Sequence, residues 1–575
     1  MLTNAVVGGV LVATYLVVLV LQLNPQLPIV SMAALRWFGA LLAFYGLYLS
    51  VALYFLILLL DAVSSQPLRP AWFSVRVLAW LGAGGAAAAS LLTWSNLEGF
   101  RAVLSASAAE SMRLGAIATT VSAVVLVTVA VFRYSFGRKG SRATGVLLIA
   151  AMVLSVVVPL WVRGPGEPTV PVVRQWAPRQ HIASTTRVRV LVFDGASLGF
   201  IRRRVAAGQL PNFSRLLDRG ATIDLATLKP TQAVPVWMAA ASGKSPERTG
   251  VRSNELYRVS AADQVAVDLL PDYCFAYALI SQGFITASPL TSASLSARLM
   301  WQILADYGVA SGVTGWPLTY PASADLGYVL SDRFDEAASS PLRLGDARAG
   351  DPTTAVDVAR ETFDRWLVAP WPDVLPATAP GEPEPLNLNA ARWDRAYSDT
   401  AAELELQFAP RLTAVRYEGL DAFGHLYLRE AQPELFGDPR RSDPRRPILD
   451  RHYAYLDSEI GRTARLLAPG DLLVVVSGFG MERMTPVKRL LARVLGQPDL
   501  TGTHEHAPDG FLLAYGTNVA RGQVPRGSIV DLAPTVLYYM GAPVGRDMDG
   551  FARTDLFTTT YTLDHPVKYV ATHER

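Results

Sequence analysis

The chain contains one cysteine, Cys274, in 575 residues, so no internal disulfide can form and an oxidising compartment is neither required nor excluded. Charge is scarce too. Only 18% of residues are Asp, Glu, Lys or Arg against 51% hydrophobic ones, and the mean hydropathy is +0.25, too apolar for an ordinary soluble enzyme of this length. The deficit is local. The first 163 residues hold 10 basic and 3 acidic side chains, and the rest of the chain holds 42 and 46. The pI of 8.8 therefore belongs to the N-terminal part. The remainder lacks the basic stripe that nucleic acid would require, and no nucleic-acid partner is expected.

Five apolar runs, at about 5–22, 36–60, 77–94, 114–132 and 145–162, are each close to or above the ~18–20 residues needed to cross a bilayer. The first lacks a basic leader and a small-residue cleavage site and is followed by four more, so it is read as a retained span and not a signal peptide. No Asp, Glu, Lys or His lies deep within a run, and no internal repeat is visible, which leaves a transporter without a substrate path. Residues 1–163 are thus expected to form a five-helix membrane region. Arg133, Arg138, Lys139 and Arg142 between runs four and five, with Arg69 and Arg76 between two and three, place those loops in the cytoplasm. The N-terminus is then cytoplasmic and everything after Arg163 extracytoplasmic.

Residues 164–186, with Pro165, Pro168, Pro171 and Pro178, read as an extended linker. From 187 to 575 the pattern changes to alternating strands and helices. Arg187–Phe193 (RVRVLVF) is a β-rich run ending in Asp194-Gly195, and Leu472–Val476 (LLVVV) is a second, ending in Ser477-Gly478-Phe479-Gly480. Such alternation implies a mostly parallel sheet flanked by helices, with its chemistry at the carboxyl ends of the strands. The stretch 335–390, rich in Ala, Pro, Gly and Asp, reads as loop or insertion.

Taken alone, a strand-terminal Asp-Gly is as consistent with a turn as with a metal ligand. Further segments stand in order behind it: Pro230–Gly250 (PTQAVPVWMAAASGKSPERTG), Trp316–Phe334 (WPLTYPASADLGYVLSDRF), Tyr417–His425 (YEGLDAFGH), Thr501–Gly510 (TGTHEHAPDG) and Asp531–Gly550 (DLAPTVLYYMGAPVGRDMDG). Over about 187–556 this series resembles the alkaline phosphatase superfamily, specifically its type I phosphodiesterase/nucleotide pyrophosphatase branch.

The resemblance implies a two-metal phosphoryl-transfer site with zinc or similar divalent cations and a Ser or Thr nucleophile. On this sequence Asp421, His425 and His504 fall on one ion's ligand set, with His506 the rival of His504. For the other ion only Asp194 remains. The nucleophile position is Ala233, and Gly478 and Phe479 stand where the family has Asp and His. A family His is replaced by Thr249. Thr231 is the substitute hydroxyl if the loop shifts register, with Ser197 and Ser477 nearby; each is also an ordinary turn or capping residue.

These replacements imply a degenerate site holding at most one ion, in a membrane-anchored protein that is catalytically impaired and acts by binding or scaffolding, with the lipid bilayer, a phosphoester ligand or a protein as partner. The alternative is an active phosphodiesterase or phosphotransferase using a single metal on lipid or nucleotide phosphoesters. Its layout is similar to lipoteichoic acid synthases and lipid phosphoethanolamine transferases, which belong to another branch. The arrangement suits a bacterial inner membrane.

Overall fold

The computed structural model describes residues 2–63, 75–132, 142–166, 181–182, 186–272, 276–334, 347–376, 384–437, 445, 447–494 and 500–574. Cys274, most of the 164–186 linker and the basic loops at 64–74 and 133–141 lie outside the described residues. The chain divides into two compact units, Met1–Pro171 with Glu255–Pro289, and Val172–Asn254 with Leu290–Arg575.

The first unit contains helices α1 (Leu2–Leu23), α2 (Met32–Val63), α3 (Val75–Phe100), α4 (Ala106–Ala130) and α5 (Arg142–Arg163), all five long and apolar enough to cross a membrane. Helices suit that solvent because they satisfy their own backbone hydrogen bonds. Close packing comes from small residues: Ala79, Ala83 and Ala86 of α3 are fully buried in a cluster with Ala123, Leu126 and Ala130 of α4. Between helices, the Tyr15 and Ser155 hydroxyls share a hydrogen bond of 2.7 Å.

This unit also takes in residues 255–289, far along the sequence. They form an antiparallel ribbon of Glu255–Arg258 and Thr286–Pro289, and the chain between those strands packs on the helix ends. Asn24, just past α1, is the main fastening. Its Nδ2 donates to the carbonyls of Val20 and Leu269, both at 2.7 Å, and its Oδ1 accepts the N–H groups of Asp268 and Leu269, both at 3.1 Å. Every hydrogen-bonding site of that buried amide is filled. Leu269 enters a cluster with Leu19, Leu23, Leu97 and Phe100, Asn96 Oδ1 accepts Asp272 N–H at 2.8 Å, and Arg36 pairs with Asp263.

The second unit is built on a ten-stranded sheet. Its strands are β1 (Val188–Phe193), β2 (Ala221–Ala226), β3 (Ser311–Trp316), β4 (Gly327–Ser331), β5 (Gly350–Asp351), β6 (Leu412–Tyr417), β7 (Leu472–Phe479), β8 (Asp509–Gly516), β9 (Gly522–Gln523) and β10 (Gly527–Ser528). The order is β9-β2-β8-β7-β1-β6-β3-β4-β5, with β10 also on β2. The central run from β7 to β4 is parallel, and β8 and β5 join antiparallel. β1 sits between β6 and β7, pairing Val188 with Leu412 and Leu472. That register brings the carboxyl ends of three strands together. β1 and β6 are buried along their whole length, as expected for strands covered on both faces.

Helices α6 (Ala233–Ser242), α7 (Thr353–Leu367), α8 (Asn389–Phe408), α9 (Gly419–Ala431) and α10 (Pro447–Arg465) flank the sheet. α7 corrects the reading of 335–390 as loop: Ala355, Val356, Ala359 and Phe363 of that helix are buried, and Val356, Ala359 and Phe363 pack with Leu330 and Tyr397. The low-complexity composition hid a helix with apolar residues at helical spacing. Residues 335–346 and 377–383 of the same stretch lie outside the described residues.

Candidate metal and phosphoester site

Asp421 and His425 lie one turn apart near the start of α9, which follows directly from β6, and a four-residue spacing puts them on one helix face. The helix start is held from below by Asp394 of α8. Its Oδ1 and Oδ2 accept the N–H groups of Glu418 and Gly419 at 2.8 and 3.0 Å, and His452 of α10 approaches the same carboxylate at 2.9 Å. At the end of β1 the chain turns through Gly195 with φ of +70°, where a Cβ would stand 2.9 Å from Asp421 Cα. Only glycine permits that close approach.

His504 comes from the loop before β8. Its Nε2 lies 3.7 Å from Asp421 Oδ1, and His425 Nε2 lies 3.5 Å from Asp421 Oδ2. One atom from each of Asp421, His425 and His504 falls within 4.8 Å of the others, the sole such trio among the described residues.

The donor set fits a divalent cation on two counts. His425 Nδ1 lies 2.9 Å from the Gly502 carbonyl and His504 Nδ1 2.9 Å from the Thr231 carbonyl. A carbonyl can only accept, so each ring carries its proton on Nδ1 and turns the bare Nε2 inward. In addition, Asp421 Oδ1 is buried without a hydrogen-bond partner, a costly state that a bound cation relieves. Burial works against both charged forms. Even so, the His425 contact and the His504 field hold Asp421 below the usual carboxylate range, and the Asp421 and Gly502 contacts raise His425.

Asp194 is placed otherwise. Its carboxylate lies at the end of β1, fully buried, and is occupied by protein donors. Arg416 of β6 gives Nε and Nη2 to Oδ2 at 2.9 and 2.5 Å, and the Trp237 indole N–H bonds Oδ1. Arg416 also reaches Glu418 at 3.1 Å. Burial disfavours its charge, but Asp194 and Glu418 keep it firmly protonated. Asp194 is not among the three converging ligands.

Ala233 is the first residue of α6, with Gln232 at the cap. Gly478 and Phe479 are the last two residues of β7, so this strand runs further than its apolar stretch suggests. The buried Phe479 ring packs on His504 with centroids 4.9 Å apart. A Cβ at Gly478 would meet Val236 Cγ1 at 2.4 Å. The substitute hydroxyls are all engaged locally: Thr231 donates to the Leu228 carbonyl at 2.8 Å, Ser477 to the Phe479 carbonyl at 2.8 Å, and Ser197 caps the helix Leu198–Ala206. Thr249 bonds within its own turn. His506 offers its backbone N–H to Glu482 Oε1 at 2.9 Å, and neither belongs to the converging trio.

Sequence reasoning missed Arg416, Trp237 and Asp394. A signal existed for the first, since an arginine inside the buried run LTAVRY demands a carboxylate partner.

A family model described as type I phosphodiesterase/nucleotide pyrophosphatase matches residues 188–524. No curated protein matches the chain. Among solved structures, human ectonucleotide pyrophosphatase/phosphodiesterase 5 is 12% identical with a TM-score of 0.40, covering 65% of this chain and 100% of its own. The murine counterpart, an inactive variant in complex with AMP, is 13% identical with a TM-score of 0.37 and the same coverage.

Proposed function

Because the chain belongs to the type I phosphodiesterase/nucleotide pyrophosphatase family, we propose that it is a membrane-anchored member with a degenerate site, holding at most one zinc-like ion, impaired in phosphoryl transfer and acting through binding of a phosphoester ligand or a protein. Arg416 carries this reading. Its guanidinium lies on Asp194, the one carboxylate left to the second ion, so a fixed cation of the protein already neutralises it. Phe479, at the end of the neighbouring strand β7, sets its apolar ring against His504, and Ala233 has no atom that can attack phosphorus.

An ion at Asp421, His425 and His504 would polarise a phosphoryl oxygen and lower the pKa of a bound water. The protein side of the site holds that position open: two imidazoles fixed in one tautomer and a carboxylate with a bare oxygen form an anion-attracting cradle once loaded. Loss of the nucleophile and of the second ion should each cost several powers of ten in rate. The charge bias of the loops supports placing the phosphodiesterase-like domain outside the cytoplasm, as in a bacterial inner membrane.

The intact trio favours a second reading, a single-metal hydrolase acting on lipid or nucleotide phosphoesters. Turnover of a chromogenic phosphodiester by the purified full chain, supplied with zinc, separates the two. Background rates with ligand binding retained support the impaired reading. Robust turnover, lost on His425→Ala, overturns it in favour of the hydrolase.

A further inference from the structure

We infer that residues 276–285, although remote in sequence from the five membrane helices, form a sixth membrane-contacting element, seated in the bilayer beside α2 with Tyr277 and Ile280 turned to lipid. Depth along α2 is the first argument. Its 32 residues make a rod about 48 Å long, against ~30 Å of hydrocarbon. Its charged residues are Arg36 near one end and Asp61 near the other. Placing the hydrocarbon boundary at Asp61 puts the core at about residues 41–60, and placing it at Arg36 puts the core at about 37–56. Phe44 and Tyr48 fall inside it either way.

Both residues touch the excursion. Phe284 packs edge-on against Phe44, centroids 5.4 Å apart, and Tyr48 donates to Gln282 Oε1 at 3.1 Å. The segment therefore reaches down α2 past its first apolar turns, next to Leu47 and Val51, which are 62% and 49% exposed on the lipid side of that helix.

Composition and hydrogen bonding suit that depth. The short helix Ala276–Ser281 (AYALIS) carries no charge; it buries Ala278 and Leu279 and leaves Tyr277 and Ile280 43% and 36% exposed. Backbone outside regular structure is tolerated near lipid only when its polar groups are paired. Here the N–H groups of Gln282, Gly283, Phe284 and Ile285 all bond back to the carbonyls of Ala278, Ile280 and Leu279. The Asn24 amide and the Arg36–Asp263 pair fasten the preceding part of the same excursion to the helix ends, and Tyr48 and Phe44 hold the segment itself against α2. Its covering partner is the acyl region of the bilayer, continuous with the lipid-facing surface of α2.

The test uses the full chain with Cys274→Ser and a single new cysteine at Ile280 (Ile280→Cys), labelled with bimane and reconstituted in phosphatidylcholine vesicles. A parallel sample carries Tyr277→Cys, in case one variant folds poorly, and Ala261→Cys, at an exposed turn of the same excursion, serves as the aqueous reference. The expected result is a blue-shifted emission at 277 and 280, loss of most of that emission when the vesicles contain a lipid nitroxide-labelled high on its acyl chain, and indifference to aqueous iodide, with the reverse at 261. Quenching at 277 and 280 by iodide, with no response to the nitroxide lipid, overturns the inference and makes the segment a solvent-exposed loop.

Discussion

Arg416 and Asp194 face each other across adjacent parallel strands, Val192 of β1 standing in register with Arg416 of β6, and the guanidinium closes on the carboxylate with both partners almost wholly buried. A positive charge built into the protein thus pairs with the carboxylate that the proposed reading assigns to a second ion. Removing one partner strands the other, so Arg416→Met should destabilise the domain by roughly 3–5 kcal/mol, and the double change Arg416→Met with Asp194→Asn should recover most of that loss. Denaturant unfolding in detergent measures both. A loss in the double variant equal to the sum of those in Arg416→Met and Asp194→Asn alone would show that the pair is not coupled.

Metal binding should discriminate between the two carboxylates. The full chain is expected to take up one zinc equivalent, and His504→Ala, His425→Ala and Asp421→Ala should each abolish it, while Asp194→Ala leaves the stoichiometry unchanged. Elemental analysis after gel filtration reads the count. Two equivalents, one lost with Asp194→Ala, would mean that Arg416 yields its place to an ion.

Restoring the missing groups should fail for a steric reason. Gly478→Asp would drive its Cβ into Val236 Cγ1 at 2.4 Å, so Gly478→Asp with Phe479→His and Ala233→Ser should remain at background in a phosphodiester assay and lower the melting temperature. Adding Val236→Ala opens the space, and any gain should appear only in that fourfold variant, because residues that act as a unit are non-additive. Activity in the triple variant would contradict the packing described above.

The proposed sidedness, argued from loop charge, is open to labelling. With Cys274→Ser as background, a membrane-impermeant thiol reagent should label Ser184→Cys in intact spheroplasts and label Ser141→Cys only after permeabilisation. The opposite pattern would place the phosphodiesterase-like domain in the cytoplasm.

The C-terminal tail should resist mild acid. Lys244 Nζ lies 2.6 Å from Asp547 and 2.9 Å from Glu574, and Thr572 donates to Asp547 at 2.7 Å. Burial opposes ionisation, yet Lys244 and Thr572 hold the Asp547 carboxyl below its ordinary 3.8. A depressed folded-state pKa gives stability that is present above the unfolded value and lost as pH falls through the folded one. The protection factors of the tail amides, which divide out the intrinsic pH dependence of exchange, should therefore be alike at about pH 7 and 5 and fall only below about 3.8, whereas Asp547→Ala should lower them at every pH. Loosening of the unaltered chain near pH 5 would count against the clamp.

Much of this protein was legible in its sequence because the relevant physics is local or one-dimensional. Five runs of apolar residues long enough to cross hydrocarbon need no partner to declare themselves. Strand-terminal Asp194, the Asp-x3-His of Asp421 and His425, and the order of the motifs pointed to the family that the family model matches, and Ala233, Gly478 and Phe479 are the positions on which the proposal of a degenerate site rests. The partner of Asp194 was decided by tertiary structure, since Arg416 and Asp194 are 222 positions apart and meet only because β1 pairs with β6. Likewise, no periodicity marks residues 255–289 as companions of the membrane helices. Asn24 finds Leu269 across 245 residues, and a buried amide with four bonding sites to fill selects its partners by geometry, which sequence spacing does not encode.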